Sequence, residues 1–133
     1  MPRARRRPNM AAMQVLGTGV DIIEISRLEY ALRRFPRLRD RLFTEREKAE
    51  AKSRGNDMSF LAGRFAAKEA VAKALGRSCA WREVEILRGG LGRPRVMLSG
   101  RAARAGEGLR VLVSISHCRQ YAVASAVAVV HER

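Results

Sequence analysis

The segment FLAGRFAAKEAVAKALG, residues 60–76, is the part of the sequence from which the fold of this chain is predicted. It is rich in alanine and contains no β-branched run, so it favours a long helix. Apolar side chains occupy nearly the whole circumference of that helix, which is typical of a buried one. Four charged residues interrupt the pattern, and burying a charge without a partner costs several kcal/mol. They are Arg64, Lys68, Glu69 and Lys73.

Glu69 and Lys73 are four residues apart and therefore share one face of the helix. Ala62 and Ala66 complete that face and leave room for another group to approach. An i,i+4 ion pair worth about 0.3–0.5 kcal/mol explains the two charges as well as a ligand site does. Gly76 is suited to the left-handed residue that ends the helix.

The composition indicates a single globular domain. Hydrophobic residues make up 47% of the 133 residues, and no apolar run approaches the about 20 residues that cross a membrane. The N-terminus lacks the apolar segment of a secretory signal. Cys79 and Cys118 have neither the spacing of a redox motif nor the density of a disulfide scaffold, which favours reduced thiols in the cytoplasm.

The net charge is +14, from 27 basic and 13 acidic residues. Such a charge attracts polyanions, whether nucleic acids, phosphorylated cofactors or acidic proteins. Residues 1–12 are rich in arginine and proline without periodicity, which predicts a disordered basic extension. A single domain is expected at residues 13–133, and most of the excess charge belongs to it.

The first strand is expected at residues 14–25. Gly17, Gly19 and Asp21 alternate onto one of its faces. Glycines in a strand mark the close approach of another backbone or of a ligand. Two capping boxes, each a Ser or Thr followed three residues later by Glu, then predict two helix starts. They are Ser26 with Glu29, for a helix that ends before Pro36, and Thr44 with Glu47, for a helix that Gly55 ends.

After the central helix the hydrophobic period changes to two, which predicts strands. We expect them at residues 81–87, 95–98 and 110–116 and at Tyr121–Val130, with a short helix at Gly100–Ala105. Residues 117–120 would join the last two strands in a hairpin. The sum is an α+β domain in which the first strand returns to a mixed, mostly antiparallel sheet packed on the long central helix.

Two carboxylates stand in apolar surroundings, Asp21 in the first strand and Glu69 in the central helix. Carboxylates together with water and phosphate oxygens suit Mg²⁺, although salt bridges to arginine are a commoner explanation. His117 is alone at a strand end, which is more typical of a structural or exposed residue than of a catalytic one. No phosphate-binding loop or GxGxxG fingerprint is present, and aromatic residues, at 5%, are few for a nucleic-acid binder.

Three motifs in this order and spacing resemble one known family. They are GTGVDIIEISRL at residues 17–28, FLAGRFAAKEAVAKALG at residues 60–76 and VSISHCRQYAVA at residues 113–124. They are similar to the motifs of the holo-[acyl-carrier-protein] synthases, the small trimeric class with the 4′-phosphopantetheinyl transferase fold. The resemblance covers residues 15–130, and only the arginine-rich extension has no place in the family pattern.

The resemblance implies that Asp21 and Glu69 bind Mg²⁺, which bridges the pyrophosphate of coenzyme A. Lys73 would act at the phosphate under attack, with Asp21 and Glu69 counted as catalytic beside it. It would serve either as general base or as a stabilising cation, and a metal-bound water is the other candidate base.

The resemblance also implies the binding residues. Arg64, Lys68 and His117 would contact the phosphates of coenzyme A, His117 from another subunit. Arg27 and Arg34 are seven residues apart on one helix face and would meet acidic residues of the acyl carrier protein.

The expected activity is therefore Mg²⁺-dependent transfer of 4′-phosphopantetheine from coenzyme A to a serine of apo-acyl carrier protein. Adenosine 3′,5′-bisphosphate would be the by-product. The enzyme would be a cytoplasmic homotrimer with active sites at subunit interfaces and no membrane or nucleic-acid partner. The alternative is a basic, non-enzymatic module that binds RNA or an acidic protein. Such a module has no use for carboxylates at Asp21 and Glu69 facing a polyanion.

Overall fold

The computed structural model describes residues 14–130. The expected extension at residues 1–12 lies outside the described residues, as do Met13 and residues 131–133. None of the described helices is both long enough and apolar enough to cross a bilayer. The elements are β1 (Val15–Glu24), α1 (Ile25–Arg34), α2 (Leu38–Leu42), α3 (Glu45–Ser53), α4 (Met58–Leu75), β2 (Val84–Arg88), β3 (Pro94–Leu98), α5 (Gly100–Ala105), β4 (Leu109–His117) and β5 (Tyr121–Val130).

The strands form two sheets. The larger has the order β1-β5-β4, so the first strand does return to pair with the last, and the smaller is the hairpin of β2 and β3. Every pairing between described strands is antiparallel. The α+β class and the packing on a central helix are confirmed, while the expected mixed sheet proves to be two antiparallel sheets.

Helix α4 covers the inner face of the three-stranded sheet. The contact is built from small residues on both sides, since the buried alanines of α4 meet Ala124, Ala126 and Ala128 of β5. Because alanine adds little thickness, the helix lies close to the sheet. A second cluster, which includes Leu28, Phe43 and Leu61, packs α1, α2 and α3 around the first half of α4.

The closest contact is between α4 and β1, where two glycines are required. A Cβ atom at Gly17 would lie 2.0 Å from the carbonyl oxygen of Ala74, and one at Gly19 would lie 1.9 Å from that of Ala70. These distances are far below van der Waals contact, so any side chain would push the helix away. We call these four residues the glycine seam. The glycines therefore admit the backbone of α4, one of the two explanations that their pattern allowed.

The prediction of a capping box at Ser26 is wrong. Helix α1 begins at Ile25, with Glu24 as its N-cap and no side-chain cap bond. The Ser26 hydroxyl instead donates to the Glu24 carboxylate at 3.0 Å. Glu29 pairs with Arg33 at 2.7 Å, so it does not reach back to the helix start.

The other predicted helix ends are confirmed. Helix α1 ends before Pro36, and Thr44 with Glu47 forms a complete capping box at the start of α3. Asp57 caps α4, which begins two residues before the predicted stretch. Gly76 ends α4 in the left-handed conformation, with φ of 71°.

The strand predicted at residues 81–87 begins later than expected. Trp81–Glu83 is a 3₁₀ turn and the strand itself starts at Val84. The carbonyls of Trp81 and Val84 both accept hydrogen bonds from Lys68 of α4. Lys68 thus holds the 3₁₀ turn and the first residue of β2 against α4.

Candidate active site

Strand β1 and helix α4 bring three of the predicted catalytic residues together. Asp21 follows the glycine seam on the inner face of β1, while Glu69 and Lys73 lie one turn apart on α4. The Lys73 ammonium donates to the Val20 carbonyl at 2.9 Å and lies 3.4 Å from Asp21 Oδ1. Asp21 and Glu69 both line a cavity of about 510 Å³, which we call the carboxylate cavity. Asp21 and Glu69 therefore face one cavity, and Lys73 lies beside Asp21.

The electrostatics of this group favour a bound cation. Burial raises the pKa of the Asp21 carboxyl, and the negative charge of Glu69 raises it further, whereas Lys73 opposes both. The Lys73 side chain remains 56% exposed. The Lys73 ammonium thus offsets the burial of Asp21 and the charge of Glu69 only in part, and a divalent ion would relieve the remaining repulsion.

The donor set fits Mg²⁺. Among residues 14–130 no group of three or more His, Cys, Asp or Glu side chains could hold a metal ion. Two carboxylates alone are a poor cage for zinc or calcium. Mg²⁺ is different, because it keeps several waters and completes its shell with substrate phosphates. Asp21 and Glu69 would supply the protein's share of such a shell.

Arg64 and His117 line a different cavity, of about 530 Å³. We call it the arginine cavity, since four arginines line it with His117. They are Arg54, Arg64, Arg88 and Arg93.

The Arg64 guanidinium is deeply placed in this cavity. Its side chain is only 9% exposed, lies 3.7 Å from Glu50 and stacks at 4.4 Å on the Phe60 ring. Burial lowers the pKa of Arg64, and the Glu50 carboxylate opposes that shift. Arg64 Nε is buried without a hydrogen-bond partner in the described part of the chain. A buried, unpaired donor beside three further arginines is suited to an anion.

One chain does not bring the two cavities together. Asp21 lies on β1 and His117 on β4, and β5 runs between them. Within the described residues, no side chain lines both the carboxylate cavity and the arginine cavity. In a single subunit, Asp21 and Glu69 therefore lie apart from Arg64 and His117.

The prediction that Lys68 contacts a phosphate does not agree with its surroundings. Its side chain is 1% exposed, and its ammonium donates to Glu47 Oε1 at 2.7 Å. The carbonyls of Trp81 and Val84, at 2.8 and 2.7 Å, accept its other two hydrogen bonds. All three N–H donors are used, so none is left for coenzyme A. Burial lowers the pKa of Lys68, and the Glu47 carboxylate counteracts this.

The sequence reasoning missed the second role of Glu47. Besides closing the capping box with Thr44, it is fully buried, binds Lys68 and accepts from the Ile86 amide at 2.9 Å. We call Glu47, Lys68 and the main-chain groups that they bind the buried polar cluster. In the sequence, Glu47 is marked only as the glutamate three residues after the cap residue Thr44. An exposed glutamate is equally ordinary at that position.

Trp81 was also missed. Its indole N–H donates to the Glu69 carboxylate at 2.5 Å, and its ring packs 6.4 Å from that of Phe65. The period-two pattern placed Trp81 in a strand, where its side chain would have alternated with its neighbours. Only the 3₁₀ turn points it back to α4.

The two arginines predicted to meet the carrier protein are both exposed on α1. Arg27 lines the carboxylate cavity together with Asp21 and Glu69. Arg34 lies about two turns further along the helix and does not line that cavity. A partner on α1 would therefore reach the cavity at the Arg27 end.

Comparisons with known proteins identify the family. The model of the 4′-phosphopantetheinyl transferase superfamily matches residues 17–126. The holo-[acyl-carrier-protein] synthase of Moorella thermoacetica is 49% identical over 119 residues, which span 85% of this chain and 93% of that protein.

Solved structures agree. The holo-(acyl-carrier-protein) synthase of Bacillus anthracis, in complex with CoA (3′,5′-ADP), has a TM-score of 0.74 and 35% identity. The match covers 90% of this chain and 99% of that one. The Helicobacter pylori enzyme, in complex with coenzyme A, has a TM-score of 0.74 at 28% identity and covers 84% and 98%. Sequence and fold thus lead to one conclusion: this chain belongs to the holo-[acyl-carrier-protein] synthases of the 4′-phosphopantetheinyl transferase superfamily.

Proposed function

We infer that the chain transfers the 4′-phosphopantetheine group from coenzyme A to a serine of apo-acyl carrier protein, and that it does so with Mg²⁺. The transfer itself follows from family membership, since the relatives are holo-[acyl-carrier-protein] synthases and two of the structures contain coenzyme A or its 3′,5′-ADP part. The observation that carries the metal-dependent mechanism is the meeting of Asp21 and Glu69 in one cavity beside Lys73.

Asp21 and Glu69 would hold Mg²⁺, which supplies neutralisation of the pyrophosphate charge when bound. The glycine seam holds β1 against α4, which places the main chain of Asp21 close to the helix that carries Glu69 and Lys73. Phosphoryl transfer depends mainly on such positioning and on neutralising developing charge. These two side chains therefore contribute geometry and charge, and need undergo no covalent change.

Lys73 is the residue that we propose to act on the attacking serine hydroxyl. Its nitrogen is next to Asp21, and its side chain is exposed enough to turn toward an incoming substrate. As general base, Lys73 would accept the hydroxyl proton as the serine oxygen attacks the β-phosphate of coenzyme A. Adenosine 3′,5′-bisphosphate then leaves with the bonding electrons, and the phosphopantetheine is joined to serine.

The arginine cavity is our proposed site for phosphates of coenzyme A. Arg64 presents its unpaired Nε there, and His117 stands at the exposed end of β4. Arg64 is pre-positioned by Phe60 and Glu50, so little side-chain entropy is lost when an anion binds. Because this cavity is separate from the carboxylate cavity in one chain, a cofactor spanning both would need a neighbouring subunit.

We propose a homotrimer in which such neighbours meet through the outer face of the three-stranded sheet. Val20, Ile22 and Leu112 on that face are 61%, 64% and 50% exposed. Strand β5 runs between them with buried alanines on its inner side. An apolar face of this kind is suited to burial against copies of itself. Sedimentation equilibrium tests the assembly, and an active monomer would overturn it.

The partner surface is proposed on α1, where Arg27 and Arg34 would meet acidic residues of the carrier protein. Both are exposed, and Arg27 also lines the carboxylate cavity. The high positive charge of the chain would speed association with an acidic partner. The free thiols of Cys79 and Cys118 support a cytoplasmic location.

The test is release of adenosine 3′,5′-bisphosphate from coenzyme A in the presence of apo-acyl carrier protein. We expect release with Mg²⁺, none after chelation, and none with a carrier protein whose acceptor serine is replaced by alanine. Mass spectrometry of the carrier protein should show the added group. Release that is indifferent to chelation would overturn the metal-dependent mechanism. Binding of RNA or an acidic protein without release would favour the non-enzymatic alternative.

A further inference from the structure

Glu69 has one partner that the proposed function does not use. Its carboxylate oxygen Oε1 accepts the indole N–H of Trp81. Glu69 and Trp81 together line the carboxylate cavity and also a second cavity of about 400 Å³ beside Lys73. The indole is thus placed at the wall between the two spaces that surround the proposed metal ligand.

Trp81 is itself held from behind by the buried polar cluster. Its carbonyl accepts from Lys68, whose ammonium is buried against the equally buried Glu47. Lys68 and Glu69 are adjacent in α4, so their side chains leave the helix in different directions. Both nevertheless reach the same tryptophan, one at the main chain and the other at the side chain.

We propose that Trp81 is a positioning residue for the metal ligand Glu69. Its N–H occupies one carboxylate oxygen and fixes the orientation in which the other oxygen meets the cation. The buried Lys68–Glu47 pair anchors Trp81 for this purpose, which gives Lys68 a role without contact to coenzyme A. This inference rests on the proposed function, because it requires that Glu69 binds Mg²⁺.

Without the indole hydrogen bond, the Glu69 side chain can rotate about three bonds. Ordering it only when the metal arrives would cost affinity. Loss of a hydrogen bond that orients a metal ligand typically lowers affinity or activity about 10- to 100-fold. We therefore expect Trp81→Phe, which keeps a ring near Phe65 but has no N–H, to weaken Mn²⁺ binding about tenfold.

The experiment measures Mn²⁺ binding to the full chain with saturating coenzyme A, by electron paramagnetic resonance of the free ion. Trp81→Phe is compared with Glu69→Ala, which should lose the metal, and with Phe65→Leu, which changes the aromatic contact but keeps the indole N–H. We expect Trp81→Phe to bind Mn²⁺ about tenfold more weakly than the wild type, and Phe65→Leu to bind it with wild-type affinity. At saturating metal the KM for coenzyme A of Trp81→Phe should be unchanged.

Two outcomes overturn the proposal differently. Wild-type affinity in Trp81→Phe where Glu69→Ala has lost the metal refutes the positioning role and leaves the metal site standing. Wild-type affinity in both variants refutes both.

A second measurement needs no variant. Trp81 is the only tryptophan among the 133 residues, so saturating Mg²⁺ should change the intrinsic tryptophan emission of the wild-type chain. Emission that is unaffected by saturating Mg²⁺ would also overturn the proposal.

Discussion

Two lysines of the same helix differ in burial and in pairing. Lys68 and Lys73 are five residues apart on α4, and each lies near a carboxylate. The side chain of Lys68 is 1% exposed and is paired with a Glu47 that is fully buried, whereas Lys73 is 56% exposed beside an Asp21 that is 20% exposed. The Lys68–Glu47 pair is therefore part of the core, whereas the Lys73–Asp21 pair lies beside a cavity.

The difference lies in unused hydrogen-bonding capacity. All three donors of Lys68 have fixed acceptors, so a substrate would have to break contacts to reach it. Among residues 14–130, the partners of Lys73 are the Val20 carbonyl and, at a longer distance, Asp21, and both contacts can be released to water. Burial with full pairing marks a structural ion, while partial exposure with loose pairing marks a group available for chemistry.

The largest effect on turnover is expected at the proposed metal ligands. Asp21→Ala or Glu69→Ala should lower turnover by about 10³-fold or more, because several kcal/mol of charge stabilisation would be lost. Each should retain the fold and its unfolding midpoint, since either change removes carboxylate repulsion. Turnover is measured at saturating Mg²⁺ and folding by circular dichroism. Normal turnover in either variant would contradict the assignment.

Lys68→Met should give the opposite result, a loss of stability. Removing the cation leaves Glu47 buried and unpaired, which costs about 3–5 kcal/mol. Urea unfolding measures this, with Lys52→Met on the exposed face of α3 as the matched control, expected within about 0.5 kcal/mol of wild type. Adding Glu47→Gln to Lys68→Met should recover part of the loss. A stable Lys68→Met chain with a raised KM for coenzyme A would restore the phosphate role.

Substitution of Lys73 distinguishes a general base from a residue that only neutralises charge. If it is the general base, Lys73→Arg should be nearly as damaging as Lys73→Ala, about 100-fold in turnover, because guanidinium stays protonated. The acidic limb of the pH–rate profile should vanish in both variants. If Lys73 only neutralises charge, arginine would restore most of the rate and leave the profile unchanged. That result would refute the base role and leave the overall function intact.

The smallest effect is expected at the surface of α1. Reversal of Arg27 and Arg34 to Glu should raise the KM for the acyl carrier protein about tenfold at low salt and less at high salt. The KM for coenzyme A should hardly change. The matched control reverses Arg101 and Arg104, two exposed residues of α5. An equal rise for both substrates would mean that the α1 arginines are structural.

Local rules predicted the parts of the molecule that depend on neighbours in sequence. The left-handed end of α4 at Gly76, the capping box at Thr44 and the last hairpin are all confirmed. The box at Ser26 failed because α1 begins one residue earlier, at Ile25, so Ser26 lies inside the helix and cannot cap it. Lys68 shows the same limit at the site, since its partners come from α3 and from the Trp81 turn.

The three-dimensional grouping of the site was only partly accessible. Alternation on β1 and periodicity on α4 placed Asp21 and Glu69 on inward faces, but no pattern stated that these faces touch. The two glycines hinted at a close approach without naming what approaches. The Trp81 contact depended on a 3₁₀ turn within a segment whose alternation favours a strand.

The glycine seam has a consequence for how this enzyme can change over evolutionary time. Main chain touches main chain there, so the contact between β1 and α4 has no room for a side chain at Gly17 or Gly19. In the proposed function, substitutions at the exposed α1 arginines would alter the choice of carrier protein and leave this contact unchanged. The reverse is expected at Gly19, where one added methyl group would push β1 away from α4 and separate Asp21 from Glu69 and Lys73, while all three proposed catalytic side chains remain present.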